Sequence, residues 1–351
     1  MISGDDFVSK KRYTISDLAD QFGVSISTIS KALNGRSGVR PELREQIQEF
    51  CKEIDYQPDS IARGLTKGRL NIIGIMFQDV RNSFCADLAF QIQQGLHECG
   101  YMTAIFNSEL DEKKELEYID MAVNFRFAGL IVMTSHSEAV EHKLHNTPLP
   151  ILLMNRFYDH IDGDMILMDN FQAGYMAAKY LVDLGHKRFA FISGQSSSQT
   201  FRQRYSGFLQ AMENCHLPFN PDTGAFASDR RTDDAEWLPE SFYESGQMPT
   251  AVITSHDMLA ISFIEQCKLR GLHVPKDLSV VGIDNIRISA LQGISLTTID
   301  QSIHTMSEHA IRLILRRIRN PEAAPEHIIM EPKLIARSTT SKPMDGNNSK
   351  K

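Results

Sequence analysis

Apolar positions follow two regimes along the chain, and the change falls at Asn71. Before it they recur at helical spacing. In YTISDLADQF, Leu18, Ala19 and Phe22 line one side of a first helix. Thr14 can cap that helix, with Asp17 completing a capping box, and Gly23 supplies the left-handed residue that ends it. Val24, Ile29 and Leu33 are the inward positions of a second helix, capped by Ser25. A third opens at Arg40-Pro41, where proline fits the first helical position, and its stripe is Leu43, Ile47, Phe50, Cys51 and Ile54. Beyond Asn71 the apolar runs become continuous: 71–77, 103–106, 129–133, 151–154, 165–168, 188–193, 251–255 and 278–284. Helical patterns such as CADLAFQIQQGLHECG and FQAGYMAAKYLVDLG separate most of them. This alternation predicts parallel sheets covered by helices on both faces. Gly100, Gly185 and Gly271 stand where such helices should end before the next strand.

The outward face of the second helix is Ile26, Ser27, Thr28, Ser30, Lys31 and Asn34. An ordinary solvated face would carry Glu–Lys pairs that favour helix. Serine and threonine are poor helix formers, so another pressure placed them here. Small hydroxyls, one cation and one amide are the groups that reach base edges and phosphates in a major groove.

Charge qualifies this picture. The chain has a formal net charge of −7, yet residues 1–70 hold 11 Lys and Arg against 10 Asp and Glu, leaving 26 against 34 for the rest. A nucleic-acid contact therefore requires Lys31, Arg36, Arg40, Arg63, Lys67 and Arg69 to cluster in space. No apolar run approaches the ~20 residues of a membrane span, and MISGDDFVSKKRYT has no apolar signal core, so a cytoplasmic protein without membrane attachment is expected. Five cysteines, at 51, 85, 99, 215 and 267, form no CxxC pair and read as reduced thiols. There is no GxSxG, HExxH or P-loop, and His142 and His145 lie in a polar helical stretch. Catalysis, a metal and a cofactor are not expected. A transport-type binding protein is the second alternative; it would need a signal peptide and no residues 13–70.

Three segments, GVSISTISKALNG, YQPDSIARGLTKGR and NIIGIMF, resemble the LacI/GalR family of bacterial transcription regulators. DLGHKRFAFISG, VPKDLSVVGIDN and LTTIDQ extend the resemblance over nearly the whole chain. It implies an α plus α/β architecture. An N-terminal helix-turn-helix DNA-binding domain with a hinge helix precedes a two-lobed, periplasmic-binding-protein-like (type I) α/β effector domain. The implied division is a flexible tail at 1–12, the helix-turn-helix domain at 13–57, hinge and linker at 58–70, the effector and dimerisation domain at 71–340, and a disordered tail at 341–351. Lobe one would take 71–168 and 302–330, and lobe two 169–301 and 331–340, with crossovers near Asp169, Gln301 and Met330.

The family also implies partners: near-palindromic double-stranded operator DNA, a second copy of the chain, and a small-molecule effector. Thr14, Ser25, Ile26, Ser27, Thr28, Ser30, Lys31, Asn34 and Arg40 would face DNA, with Ala62, Arg63 and Leu65 in the hinge. Leu65 matches the family leucine that wedges into the minor groove, a step that costs a few kcal/mol of unstacking. A linker leucine packed on the neighbouring domain is the alternative. The residues implied at the effector are Phe84, Asn155, Arg156, Arg204, Phe226, His256 and Asp284. The fork of Arg204 could span two vicinal hydroxyls or a carboxylate. Asp284 could instead cap the next segment, Phe226 be plain core, and His256 be a satisfied surface histidine. Polar groups with flanking aromatics favour a sugar or sugar derivative. Arg156, Arg202 and Arg204 together in the cleft would favour an anionic one. The purine-responsive branch has an arginine where this chain has Ser198, which points away from a nucleobase. Ligand closure of the lobes would then bias a repressor between two DNA-binding states.

Overall fold

A computed structural model describes residues 13–56, 69–134, 137–155, 161, 163–193, 199–227 and 248–344. The chain divides into two compact units, Met1–Leu70 and Asn71–Lys351.

In the first unit, α1 (Ile15–Phe22), α2 (Ile26–Leu33) and α3 (Pro41–Glu53) enclose a small core of Leu18, Ala19, Ile29, Ala32, Ile47 and Cys51. The capping box forms as the sequence predicts: Thr14 N donates to Asp17 Oδ2 at 2.7 Å, and Asp17 N to Thr14 Oγ1 at 3.2 Å. Gly23, at φ 62°, turns the chain between α1 and α2 in a conformation that costs a side-chain-bearing residue energy. Ser25 caps α2, and Pro41 begins α3. Phe22 and Phe50 meet edge-on, centroids 5.5 Å apart, closing one side of the core. Ala32 is fully buried, whereas Val24 and Leu33, expected inward, are half-buried.

The second unit holds two six-stranded sheets. Sheet one runs β2 (Met102–Asn107), β1 (Ile72–Phe77), β3 (Gly129–Met133), β4 (Ile151–Met154), β5 (Asp164–Met168) and β11 (His327–Met330), all parallel. Sheet two runs β7 (Ala225–Ala227), β6 (Phe189–Ser193), β8 (Ala251–Thr254), β9 (Ser279–Asp284), β10 (Thr297–Asp300) and β12 (Lys333–Ile335). Only β12 is antiparallel to its neighbour.

The continuous apolar strands follow from burial on both sides. In β1, Ile73, Ile75 and Phe77 share one core with α4 (Ser83–Glu98) and α11 (Ile303–Arg319), while Met76 turns to the core under α5 (Glu112–Asn124) and α6 (Glu138–His145). In sheet two, Phe189 and Phe191 face α7 (Asn170–Asp183) and α8 (Gln199–Asn214). Ala190 and Ile192 face α10 (Asp257–Leu269); the short α9 (Pro221–Gly224) leads into β7.

The chain changes sheet at Asp169, at Gln301–Ser302, and between Met330 and Lys333. Each crossing leaves the carboxyl end of a strand (β5, β10 or β11), so the carboxyl ends of both sheets open toward the same region. Asp169 N donates to Met330 O at 3.1 Å, tying two crossings together.

The sequence places the disordered tail from residue 341, and the structure corrects that boundary. Ser341 O accepts from Ser279 Oγ at 3.1 Å and lies 2.9 Å from His186 Nε2, while Ser341 N donates to Ser279 Oγ at 3.0 Å. A backbone paired this way belongs to the fold. Of the cysteines, 51, 85 and 267 are buried and none forms a disulfide. Among the described residues, no helix is long and apolar enough to cross a membrane.

Candidate functional site

On α2, Ile26, Ser27, Lys31 and Asn34 are exposed, and Thr28 and Ser30 are half-buried. Several polar groups of this face are already engaged with one another. Ser25 Oγ accepts from Thr28 N at 3.2 Å and lies 2.8 Å from Ser27 Oγ and 2.9 Å from Thr28 Oγ1. Asn34 Nδ2 donates to Ser30 O at 2.7 Å. These bonds give a serine-rich helix the satisfied backbone that its composition would otherwise compete for. Thr14 spends its hydroxyl on Asp17 Oδ2 at 2.7 Å, so it acts as a cap. Arg40 is exposed just before α3, and the exposed Lys31 extends from α2 without a partner among the described residues. Ala62, Arg63 and Leu65 lie outside the described residues.

In the second unit, the carboxyl ends of the strands bring five polar side chains from distant parts of the chain into a ring. Asn155, just past β4 and at φ 50°, donates Nδ2 to Gln301 Oε1 at 3.5 Å. Gln301 Nε2 donates to Asp284 Oδ1. Arg204, on α8, donates Nη1 to the same oxygen at 3.3 Å and Nε to Asn170 Oδ1 at 2.9 Å. Asn170 Nδ2 donates to Met168 O at 3.2 Å, and Met168 N returns to Asn155 Oδ1 at 3.0 Å. The ring thus includes residues at both the Asp169 and the Gln301 crossing.

Arg204 and Asp284 are 2% and 5% exposed, so their pairing is desolvated. Burial pushes the Asp284 carboxyl up to about 7, opposed by the Arg204 guanidinium and reinforced by the nearby Asp257 carboxylate. Asp257 is itself pushed up to about 6 by burial, and hydrogen bonds from Thr298 and Ile286 pull it back. Its Oδ2 accepts from Ile286 N at 3.0 Å and its Oδ1 from Thr298 Oγ1 at 2.5 Å. Asn285 Oδ1 accepts from Arg337 Nη2 at 2.6 Å. These contacts hold a strained turn, because Asp284 (φ 134°) and Asn285 (φ 55°) both lie where glycine is favoured. Gly282 makes room for the clamp: a Cβ there would stand 2.3 Å from Asp257 Oδ1.

Several sequence expectations change against this geometry. The Arg204 fork cannot grip a ligand with two free nitrogens, since Nε and Nη1 are committed, Nη1 also to Ser255 O. Only Nη2 carries no hydrogen bond, and the same holds for Oδ2 of Asp284. Asp284 does not cap the segment after it, which lacks a side-chain cap. His256 is not a surface histidine: it is 8% exposed, and its Nδ1 accepts from Leu259 N at 3.1 Å as the cap of α10. Phe84 is buried in the core of lobe one at the start of α4. Phe226 pairs with Ile192 in the edge strand β7; its side chain and Arg156 lie outside the described residues. Arg202 is exposed two residues from buried Arg204, on the opposite side of α8, which removes one cation from the trio that would favour an anionic ligand.

Sequence reasoning put Asp257 and Asn285 at strand ends and Gln301 at a crossing but gave none of them a role in the site, and it missed Asn170. Gln301 ends the quoted run LTTIDQ, and its amide alone gave no signal. No group of three or more His, Cys, Asp or Glu among the described residues could hold a metal ion.

Comparison with known proteins agrees with the two-unit layout. Residues 14–59 match the family described as bacterial regulatory proteins, lacI family, and residues 178–340 match the periplasmic binding protein-like domain. The chain is 31% identical over 337 residues to the HTH-type transcriptional regulator DegA of Bacillus subtilis (strain 168), covering 93% of this chain and 98% of that one. It is 32% identical over 343 residues to the HTH-type transcriptional repressor PurR of Histophilus somni (strain 129Pt), again covering 93% and 98%. Among solved structures, the lac repressor dimer bound to operator and the anti-inducer ONPF superposes with a TM-score of 0.79 at 22% identity, over 94% of this chain and 100% of that one. A periplasmic binding protein/LacI transcriptional regulator from Alkaliphilus metalliredigens QYMF, complexed with D-xylulofuranose, gives 0.68 at 27% identity, over 77% and 99%.

Proposed function

The chain belongs to the lacI family of bacterial regulatory proteins and is a transcriptional regulator, and on that premise we propose that it is a sugar-responsive repressor acting as a homodimer. Regulators of this family bind operator DNA and small-molecule effectors. The observation that carries the DNA-binding role is α2, an amphipathic helix whose buried side is Ile29 and Ala32 and whose other side is hydroxyls, a lysine and an amide. Ser27, Lys31 and Asn34 enter the major groove, Ser25 and Arg40 approach phosphates, and the segment with Ala62, Arg63 and Leu65 enters the central minor groove.

The effector reading rests on Nη2 of Arg204 and Oδ2 of Asp284, a free donor and a free acceptor beside a mutually neutralised pair. A sugar offers adjacent hydroxyls that both give and accept, and an uncharged ligand leaves that charge balance intact. The relative solved with D-xylulofuranose supports the same class. Phe90, Met102 and Ile105 are exposed on α4 and β2, which lie together, and suit the seam between two copies. Ligand that draws the lobes together changes the hinge geometry of the dimer and so its preference for operator. The chain carries no expected cofactor in this scheme, and its place is the cytoplasm.

Selection of bound sequences from random duplexes tests the proposal, run with and without a panel of neutral sugars, sugar acids and purines. A near-palindromic site, whose occupancy one class of neutral sugar alters, is the expected result. Failure to enrich any sequence at modest salt would end the regulator reading. A response to purines alone would end the sugar reading.

A further inference from the structure

Ile26 is the only large hydrophobic residue counted as exposed among the described residues of the first unit. It stands at the first position of α2, 50% exposed, and takes no part in the core beneath. Two of its polar neighbours also bond within the first unit. Ser27 shares the hydroxyl cluster around Ser25, and Asn34 bonds back to Ser30. A β-branched side chain gains nothing for the helix at an exposed position. What it offers a partner is apolar contact area at the end of the helix that leads into a major groove.

We propose that Ile26 packs against the C5-methyl group of a thymine, so that each half-site of the operator carries one thymine selected for its methyl and not for its hydrogen-bonding edge. In the major groove that methyl is the one apolar mark by which a T·A pair differs from the other pairs. This inference rests on the regulator reading, and its test separates the two.

The full chain is first used to select its operator. Each thymine of the half-sites is then replaced in turn by deoxyuridine, which pairs identically and removes only the methyl. One position per half-site should weaken binding about fourfold, the effect of one buried methyl, and symmetric replacement about fifteenfold. In Ile26→Ser the preference for thymine over deoxyuridine at that position should fall to near one, while Ile26→Val keeps part of it. An operator whose affinity ignores every thymine methyl overturns the inference and leaves the regulator standing. So does a preference that survives undiminished in Ile26→Ser. If no operator is selected at all, both fall.

Discussion

Lobe one and lobe two carry six strands in the same order, and they differ in what stands at the carboxyl ends. In lobe one β1, β3, β4 and β5 end in Phe77, Met133, Met154 and Met168. In lobe two β6, β8, β9 and β10 end in Ser193, Thr254, Asp284 and Asp300. One topology therefore buries apolar strand ends in the core of lobe one and places a carboxylate, Asp284, at a strand end in lobe two. The lesson is that topology places the cleft, while a few chain positions decide which lobe orients a ligand.

Breaking the polar side of that contrast should have the largest effect. Arg204→Met leaves Asp284 buried without its partner and should cost about 3–5 kcal/mol of stability, read by urea unfolding, with loss of effector binding. If sugar binding persisted unchanged, lobe two would not be the orienting lobe.

Helix crossings give the next comparison. A Cβ on Gly174 would stand 1.8 Å from the carbonyl oxygen of Arg204, and one on Gly207 would stand 1.9 Å from that of Phe171. In lobe one, a Cβ on Gly95 meets only the tip of the Ile311 side chain, at 2.3 Å. Backbone cannot yield as a side-chain tip can. Gly174→Ala should therefore destabilise by about 3 kcal/mol, and Gly95→Ala by less than about 1 kcal/mol after its helix-propensity gain. Equal losses in chemical denaturation would contradict this account of the crossings.

Gln301 sharpens the comparison because it links Asp284 in lobe two to Asn155 in lobe one. Gln301→Leu should reduce the coupling between effector and operator, typically worth 1–3 kcal/mol in allosteric proteins, toward zero. Titrating effector against protein with and without operator DNA reads that quantity directly. Coupling at the wild-type level would remove Gln301 from the linkage.

A smaller effect concerns pH. Because burial raises the Asp284 carboxyl in the folded chain, the folded state holds a proton that the unfolded state has released. Its contribution is complete below the ordinary carboxylate range and is lost as pH rises through about 7. Relative to Asp284→Asn, the wild-type melting temperature should therefore fall between pH 5 and pH 8. A parallel course of the two curves would show that Asp284 does not titrate in this window.

Legibility in the sequence followed burial. The eight apolar runs became β1 to β6, β8 and β9 within a residue or two; all of these but the half-exposed β2 are covered on both faces, which leaves an unbroken hydrophobic trace. The edge strands β7, β11 and β12 are too short, and β11 too exposed, to leave one, and the buried β10 (TTID) escaped because its polar residues break the apolar run. Helix ends were readable too, with Gly23, Gly100, Gly185 and Gly271 all at positive φ. The ring was not readable as a ring. Asn155 and Gln301 are 146 residues apart, and no local pattern tells an amide that bridges two lobes from one that faces water. His256 shows a second kind of silence: a residue matched to a ligand position also caps a helix, a role its place before Asp257-Met258-Leu259 allowed but did not announce.

The route of the chain between the sheets bears on how the protein is made. Residues 13–56 hold the whole three-helix head, so it can fold while the ribosome is still early in the message. Lobe one opens with β1 at Ile72 but stays incomplete until α11 and β11, which end at Met330, have emerged. At about 5–20 residues per second, the delay between β5 and β11 lasts roughly 8–30 s. Throughout that interval the face of β3, β4 and β5 that α11 will cover, Ile131 included, stays open to its surroundings, so chaperone dependence should concentrate there and vanish on release.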